Sequence, residues 1–367
     1  MATRRAVRQA LKPFADEHRP VDEGEFPAPL VLVALSGGAD SLALALALAY
    51  EAPRLELRAG AVIVDHGLQA GSEKVAERAA AQARQMGLDP VLVESVQVTG
   101  GATGEGPEAA ARAARYAAFT KVAQATGAWA VLTAHTHDDQ AEQVLLALAR
   151  GSGLRSLAGI PEQRVLNDSA KPGESVVPPH RYLLRPFLAA GTKSGSSAIT
   201  RTVTEAACAD QGMDFWSDPH NLDPAYARVR VRQRVLPMME AELGPGIADA
   251  LVRTAELARE DADALDEMAW EYARGLLGGH AEGTVPGEEL TVPVPDLARL
   301  ARPVLHRVIR VLAQLKFGAY LERVHTLAIA ELVTGWRGQG TLYVPGIAVT
   351  RRTGQLSFER QTGSPRG

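Results

Sequence analysis

The sequence predicts an α/β fold, a doubly wound parallel sheet, followed by a second, mainly helical C-terminal domain. Two observations predict this. In the first half of the chain, short apolar segments rich in β-branched residues alternate with helix-patterned segments, which is typical of strands buried on both faces of a parallel sheet. After Pro245 the pattern becomes that of long amphipathic helices. We expect an N-terminal helical extension at 1–29, an α/β domain at 30–237 and a helical domain at 238–367.

Four apolar segments are predicted to form the strands. They are 30–35, 60–65, 90–95 and 129–134. The intervening helices are predicted at 41–51, 72–86, 107–126 and 138–150. One strand and one helix in about 30 residues is the spacing of a doubly wound sheet. Ligands of such sheets bind beyond the carboxyl ends of the strands.

The remainder of the chain is predicted to contain surface insertions, helices and a terminal hairpin. Insertions are expected at 162–180 and 191–197, helices at 246–278, 303–315 and 320–334, and a hairpin in 341–361. The buried face of the first of these helices is predicted to contain Leu251, Leu257 or Ala258, Leu265 and Met268.

Composition excludes several classes of protein. The chain has 367 residues, of which 46% are hydrophobic and 22% charged, so it is not a disordered or fibrous chain. The lone cysteine, Cys208, cannot form an internal disulfide, and the longest apolar run, at 42–50, is too short to span a bilayer. We therefore expect a cytoplasmic protein that does not bind membranes. The net charge of −4 argues against a generally basic surface.

A glycine-rich turn, Ser-Gly-Gly-Ala-Asp-Ser, follows the first predicted strand at 36–41. Glycines let the backbone approach a ligand, and the serine hydroxyls and first helical N–H groups direct donors at an anion. A turn with Asp40 or Ser41 as a helix N-cap is the simpler interpretation. The complete string at a strand–helix junction favours a phosphate-binding loop, although it matches neither the Walker A nor the dinucleotide-binding pattern.

A second cluster, His135, Asp138, Asp139 and Glu142, follows the fourth predicted strand. Carboxylates at a helix N-terminus stabilise the helix, so capping alone would explain them. Because the carboxyl ends of parallel strands meet at one edge of a sheet, we expect the cluster to face the phosphate loop. There it would bind Mg²⁺ or a cationic substrate.

Arginines form two further patterns. A predicted helix places Arg112 and Arg115 one and two turns after Glu108, and a surface ion pair of Glu108 with Arg112 is the simpler interpretation. The segment 181–237 carries eight Lys or Arg and five Asp or Glu. It contains an alternating series, Arg228, Arg230, Arg232 and Arg234. This segment is a candidate phosphate-binding stripe, although a solvated edge or helix face would show the same pattern.

Together these residues resemble the tRNA(Ile)-lysidine synthetase family of PP-loop ATP pyrophosphatases. The phosphate loop alone indicates only the superfamily, whereas the H-x-x-D-D-x-x-E string with N-x-x-x-x-Y-x-R-x-R-x-R is far more specific. The matching segments are 36–41, 64–68, 108–116, 133–143, 150–160, 183–188 and 221–232. Two positions depart from the family pattern, since Gln143 stands where threonine is common and Ser156 where glycine is common.

The resemblance implies an adenine nucleotide alpha hydrolase-like fold. It also implies a reaction in which ATP adenylates the wobble cytidine of the CAU anticodon of tRNA(Ile), after which the amine of L-lysine displaces AMP. It assigns ATP to Ser36, Gly37, Gly38, Ala39, Asp40, Ser41 and Asp65, and Mg²⁺ to Asp40 and Asp138. It assigns lysine to Arg112, Asp139 and Glu142, and tRNA to Arg115, Arg185, Arg228, Arg230 and Arg232. The catalytic candidates are Asp40, Arg112, His135, Asp139 and Glu142, with His135 or a nearby carboxylate as the proton acceptor.

Two other interpretations stay open. Another PP-loop enzyme, a tRNA thiolase or an amidating synthetase, would need reactive cysteines, which the lone Cys208 disfavours. A non-catalytic nucleotide-binding sensor would not need the carboxylate cluster or the arginine-bearing second half. The sequence leaves the oligomeric state open, a homodimer included.

Overall fold

A computed structural model describes residues 1–17, 28–67, 71–96, 107–166, 181–189, 198–278 and 289–361. Most of the two predicted insertions therefore lies outside the described residues. Among the described residues, one compact unit ends at Arg259 and a second begins at Glu260. The domain boundaries at 29 and 237 stay predictions. None of the helices in these ranges is long and apolar enough to cross a membrane.

The first unit contains a six-stranded sheet. Its strands are β1 Leu30–Ala34, β2 Arg58–Asp65, β3 Val91–Ser95, β4 Ala130–Leu132, β5 Gln163–Val165 and β6 Tyr182–Leu184. Their order is β3-β2-β1-β4-β6-β5, and all neighbours pair in parallel except β5, which is antiparallel to β6. The four predicted strands are confirmed as β1 to β4. The sequence does not predict β5 and β6, because a strand of three residues is too short to show a periodic pattern.

Helices cover both faces of this sheet. They are α1 Ala2–Glu17, α2 Ala39–Glu51, α3 Ser72–Gln85, α4 Pro107–Thr126, α5 His137–Ala149, α6 Leu154–Leu157, α7 Pro186–Ala189, α8 Arg201–Ala209, α9 Ala227–Arg230 and α10 Leu236–Leu243. Val31 and Val33 of β1 pack with α1, α2 and α3 in one core, and Leu30 and Leu32 pack with α4 in another. Successive residues of a strand point to opposite faces, so β1 is buried on both. The predicted doubly wound sheet is confirmed.

The long helix α11, Ile247–Leu276, begins in the first unit and ends in the second. The other elements of the second unit are β7 Glu289–Pro293, α12 Val294–Ala298, α13 Arg302–Phe317, α14 Arg323–Thr334, β8 Leu342–Val344, β9 Ile347–Arg352 and β10 Gln355–Arg360. The predicted hairpin is confirmed as β9 and β10. It belongs to a four-stranded sheet, of order β7-β10-β9-β8, which the sequence does not predict.

Two details of the helical prediction are wrong. Helix α14 begins at Arg323 rather than at residue 320, because the backbone of Glu322 is extended and serves as the N-cap. In α11, Leu251 and Ala258 are buried as expected, but Met268 is 54% exposed. Ala269 and Ala273 pack into the core of the second unit instead. A helix rich in alanine has several apolar stripes, so its pattern does not mark one face.

Replacing Leu48 with Ala tests the helix packing of the first unit. Leu48 of α2 is fully buried, so the substitution should lower the free energy of unfolding by about 2–5 kcal/mol. The matched control is Leu148→Ala in α5, where the side chain is 50% exposed and the expected change is below about 0.5 kcal/mol. Urea unfolding followed by circular dichroism measures both, and equal losses would contradict the assigned face of α2.

Candidate active site

The phosphate loop joins β1 to α2 at the carboxyl edge of the sheet. Gly37 has a φ of +82°, a left-handed conformation that favours glycine. The Ser41 hydroxyl donates to the Gly38 carbonyl at 2.9 Å and accepts from the backbone N–H of Ser36 at 3.2 Å. These bonds close the turn, and the first N–H groups of α2 lack intrahelical partners. The loop therefore has the form of an anion-binding turn.

Asp40, in the first turn of α2, is bound by helix α8. Its carboxylate accepts hydrogen bonds from the Thr204 hydroxyl at 2.5 Å and from Arg201 Nη1 at 3.1 Å. Burial raises the pKa of Asp40, while the Thr204 hydrogen bond and the Arg201 charge act in the opposite direction. Neither Arg201 nor Thr204 is predicted as a site residue from the sequence, because Arg201 lies 161 residues from Asp40 in a segment without a motif.

Asp138, which belongs to the acidic cluster after β4, also contacts helix α8. Its Oδ2 accepts the backbone N–H of Arg201 at 2.8 Å, at the start of α8. Arg201 therefore contacts both carboxylates, Asp40 and Asp138, that the family resemblance assigns to Mg²⁺. In the part of the chain that the structure describes, no group of three or more His, Cys, Asp or Glu side chains is placed to hold a metal ion. Two carboxylates fit Mg²⁺, which binds one or two such groups together with phosphate oxygens and water.

Asp139 and Glu142 form a buried ion-pair network with two arginines. Arg228 Nε lies 2.7 Å from Glu142 Oε2, and Arg232 Nε lies 2.6 Å from Glu142 Oε1. Both guanidinium groups also contact Asp139 Oδ1, at 3.1 and 3.4 Å. The Glu142 side chain is completely buried. The structure thus joins two of the three residues assigned to lysine, Asp139 and Glu142, with two of those assigned to tRNA, Arg228 and Arg232.

Asp139 also caps α5. Its Oδ2 accepts the backbone N–H of Thr136 at 2.8 Å, and the Thr136 hydroxyl accepts the N–H of Asp139 at 3.4 Å, which is a capping box. Burial alone would raise the pKa of Asp139, but Arg228, His135, the Thr136 bond and Arg232 lower it below its usual value. Capping and ion pairing are therefore both present at this carboxylate.

The alternating arginines divide between two directions. Arg228 lies in α9, and Arg232 lies in a π-helical turn, Val231–Val235. Because they are four residues apart on a helix, both face α5. Arg230 instead donates to the carbonyls of Pro224 and Ala225 at 2.6 and 2.7 Å. A π-turn inside a helix is frequent at functional sites.

His135 is held neutral beside this network. Burial lowers its pKa to about 3, against the opposing charge of Asp139 and with the help of Arg185, Arg112 and Arg228. Its Nδ1 lies 3.1 Å from the Thr133 hydroxyl. At neutral pH the ring therefore carries no charge and offers one nitrogen as a hydrogen-bond acceptor.

The remaining candidates lie at the ends of β2 and β6 and on α4. Asp65 Oδ1 accepts the N–H of Gly67 at 3.0 Å. Arg115 Nε lies 3.3 Å from His66 Nε2. Arg185 is only 2% exposed and donates to the Pro161 carbonyl at 2.6 Å. The side chain of Glu108 lies outside the described residues, so its predicted pair with Arg112 is untested.

Comparisons with known proteins identify the family of the chain. The family profile described as "PP-loop domain" matches residues 3–239. The chain is 52% identical to the tRNA(Ile)-lysidine synthase of Leifsonia xyli, covering 92% of this chain and 91% of the relative. It is 48% identical to that of Salinispora tropica, covering 97% and 95%. It is also 48% identical to that of Streptomyces coelicolor, covering 91% and 86%.

Replacing Asp139 with Asn tests the ion-pair network while keeping a capping oxygen. The folded-state pKa of Asp139 lies below the unfolded value. The stability from its charge is therefore present above the unfolded pKa of about 3.9 and is lost as pH falls through the folded pKa. The wild-type advantage in free energy of unfolding should be constant above about pH 5 and should shrink below about pH 4. Denaturant titrations across pH measure it, with exposed Asp16→Asn as control. An advantage that grows on acidification would contradict the assigned pairing.

Proposed function

The chain belongs to the tRNA(Ile)-lysidine synthase family of PP-loop proteins, and from that premise we propose that it uses ATP to join L-lysine to the wobble cytidine of the CAU anticodon of tRNA(Ile). One observation carries the proposal. Arg201 contacts Asp40 beside the phosphate loop and Asp138 beside the acidic pair Asp139 and Glu142. A nucleotide and a cationic substrate would therefore meet at one edge of the sheet.

In the first half-reaction, the phosphate loop would hold ATP while the cytosine oxygen attacks the α-phosphate. The bond to pyrophosphate breaks, and negative charge grows on that leaving group. The N–H groups at the start of α2 are donors already directed by the fold, so they stabilise this charge without reorganising. The hydroxyls of Ser36 and Ser41 bond each other and the Gly38 carbonyl, so they shape the turn and would have to rotate to donate to a phosphate. Asp40 and Asp138 would hold Mg²⁺, which neutralises phosphate charge when bound.

In the second half-reaction, the amine of lysine would attack the activated ring carbon and AMP would leave. Before that step, Asp139 and Glu142 would bind the lysine ammonium group. Their oxygens contact Arg228 and Arg232, so lysine must share or displace these guanidinium groups. The side chains of Arg228 and Arg232 are 30% and 37% exposed, which leaves them a path toward solvent.

The low pKa of His135 bears on the transfer of the lysine proton. An imidazole with a pKa of about 3 is a poor acceptor for a proton from an ammonium group, whose pKa is about 10. This disfavours His135 as the general base. The neutral ring is better suited to orient a substrate N–H by accepting a hydrogen bond.

Cys208 disfavours the alternative reactions within the superfamily. Its thiol is buried, with Sγ 3.4 Å from the carbonyl of Ala39. Burial, with the nearby charge of Asp40, raises its pKa to about 11. Sulfur transfer and glutamine hydrolysis need a reactive thiolate, which this environment opposes. A reaction that uses tRNA and ATP is expected in the cytoplasm.

The central test is incorporation of labelled lysine. Purified protein with ATP, Mg²⁺, lysine and a tRNA(Ile) transcript bearing CAU should release pyrophosphate and label the RNA. Asp40→Ala should lower both rates by about 10²–10³-fold, because the phosphate loop loses the carboxylate that binds Arg201 and Thr204. Asp16→Ala, at an exposed site on α1, should leave them unchanged. Pyrophosphate release without labelled RNA would refute the lysine ligation.

Glu142→Gln separates lysine binding from nucleotide binding. The amide keeps the shape of the buried side chain but removes its charge, so the KM for lysine should rise about tenfold to a hundredfold while the KM for ATP stays constant. Exposed Glu77→Gln on α3 is the matched control. Thermal melts report folding. A variant that only melts earlier, with an unchanged KM for lysine, would make Glu142 a purely structural residue.

A further inference from the structure

Three arginines gather around one tyrosine at the outer part of the sheet. The tyrosine is Tyr116 of α4. The guanidinium carbon of Arg112, also in α4, lies 5.1 Å from the centroid of its ring. That of Arg164, on β5, lies 4.3 Å from the same centroid. Arg185, directly after β6, places Nη2 3.3 Å from the phenolic oxygen. Tyr116 therefore connects three cationic side chains that come from three separate elements.

Among the described residues, no carboxylate forms a salt bridge with this arginine cluster. Burial lowers the pKa of Arg185, Tyr116 opposes this shift, and the charges of Arg164 and Arg112 lower the pKa further. Across the described ranges, none of the salt bridges includes Arg112, Arg164 or Arg185. Arg185 is 2% exposed, and its buried Nε has no hydrogen-bond partner. Burying a guanidinium among like charges is costly unless an anion compensates it.

The position of the arginine cluster distinguishes between possible anions. Helix α4 packs on the face of the sheet opposite to α2, which carries the phosphate loop. Arg112 and Arg164 are exposed whereas Arg185 is buried. The arginine cluster therefore extends from the solvent-exposed surface to a buried guanidinium group. An anion carried by a large substrate can enter from that side, whereas the β- and γ-phosphates of ATP would lie at the phosphate loop. Planar guanidinium forks match the oxygens of a phosphodiester.

We infer that Arg112, Arg164 and Arg185, oriented by Tyr116, bind one backbone phosphate of the tRNA substrate, which gives Arg112 a different role from the lysine contact that the family resemblance implies. This inference rests on the proposed function and extends its tRNA site to Arg164 and Tyr116. Arg164 contacts the phosphate, and Tyr116 is a positioning residue that acts through the arginines. The contact fixes the register of the RNA without reading its sequence.

The experiment measures binding of a labelled tRNA(Ile) transcript to the full chain by fluorescence anisotropy across a series of KCl concentrations. Arg164→Gln should weaken binding about tenfold and reduce the slope of log K against log salt by about 0.7, the value for one phosphate contact on a single strand. Arg164→Lys keeps the charge and loses the fork, so affinity should fall with the slope unchanged. Arg84→Gln, on the exposed end of α3, is the matched control and should behave as wild type.

Tyr116→Phe tests the positioning role, because it removes the bond to Arg185 but keeps the ring under Arg112 and Arg164. Affinity for tRNA should fall about threefold to tenfold with an unchanged salt slope, since no charge is lost. A lower melting temperature with wild-type affinity would overturn this role. Circular dichroism and binding of a fluorescent ATP analogue report the fold and the phosphate loop.

Two results would overturn the phosphate site. One is an Arg164→Gln variant that titrates like Arg84→Gln. The other is an Arg164→Gln variant that loses affinity for the ATP analogue but keeps the wild-type salt dependence of tRNA binding. That result would indicate that the arginine cluster binds the nucleotide. Failure of the proposed function would give a different result from failure of the phosphate site. The wild-type protein would then incorporate no lysine but would still bind tRNA, and Arg164→Gln would still reduce the salt slope. Absence of tRNA binding by wild type would refute both.

Discussion

The carboxylate of Glu142 is buried without any exposed surface, and the arrangement around it depends on its two arginine partners. A buried carboxylate must be paired, and removal of one partner of such a pair costs about 3–5 kcal/mol. Unless another cation replaces them, Arg228 and Arg232 therefore stay against α5, and α9 and the π-helical turn stay with them. The same four charges are the candidates for binding lysine and tRNA. Stability and substrate binding thus depend on the same contacts.

This dependence has a functional consequence. In the proposed reaction, the ammonium group of lysine offers N–H donors as the two guanidinium groups do, so it would compete with them for Asp139 and Glu142. Arginine side chains that leave the network become available to phosphate groups, for which their geometry is well suited. Binding of lysine and binding of RNA would therefore affect one another through one set of ion pairs. By linkage, any such coupling has to be reciprocal.

Helix α8 performs the corresponding task for the phosphate loop. Through Arg201 and Thr204 it holds Asp40, and through the N–H of Arg201 it holds Asp138. A rigid connection of this kind matters for a reaction with two successive half-reactions, because the nucleotide and the amine must reach the same cytosine ring. Positioning of reactants accounts for a large part of catalysis in such reactions.

The sequence predicts the central strands, their helices, the phosphate loop and the acidic string, because each is formed by consecutive residues with a local pattern. Apolar periodicity, glycines in a turn and capping carboxylates act over one or two helical turns. Even so, the sequence does not predict β5, where Arg164 lies, or β7, and it misplaces the buried face of α11.

The tertiary structure alone decided which groups meet. The contacts of Arg228 with Glu142 and of Arg201 with Asp40 span 86 and 161 residues. Only the packed structure separates Arg228 and Arg232, which face α5, from Arg230, which donates to its own turn. It alone places Arg164 and Arg185 around Tyr116. The physical reason is that a local pattern specifies an element and its buried face, whereas the partner of a charged side chain depends on how distant elements pack.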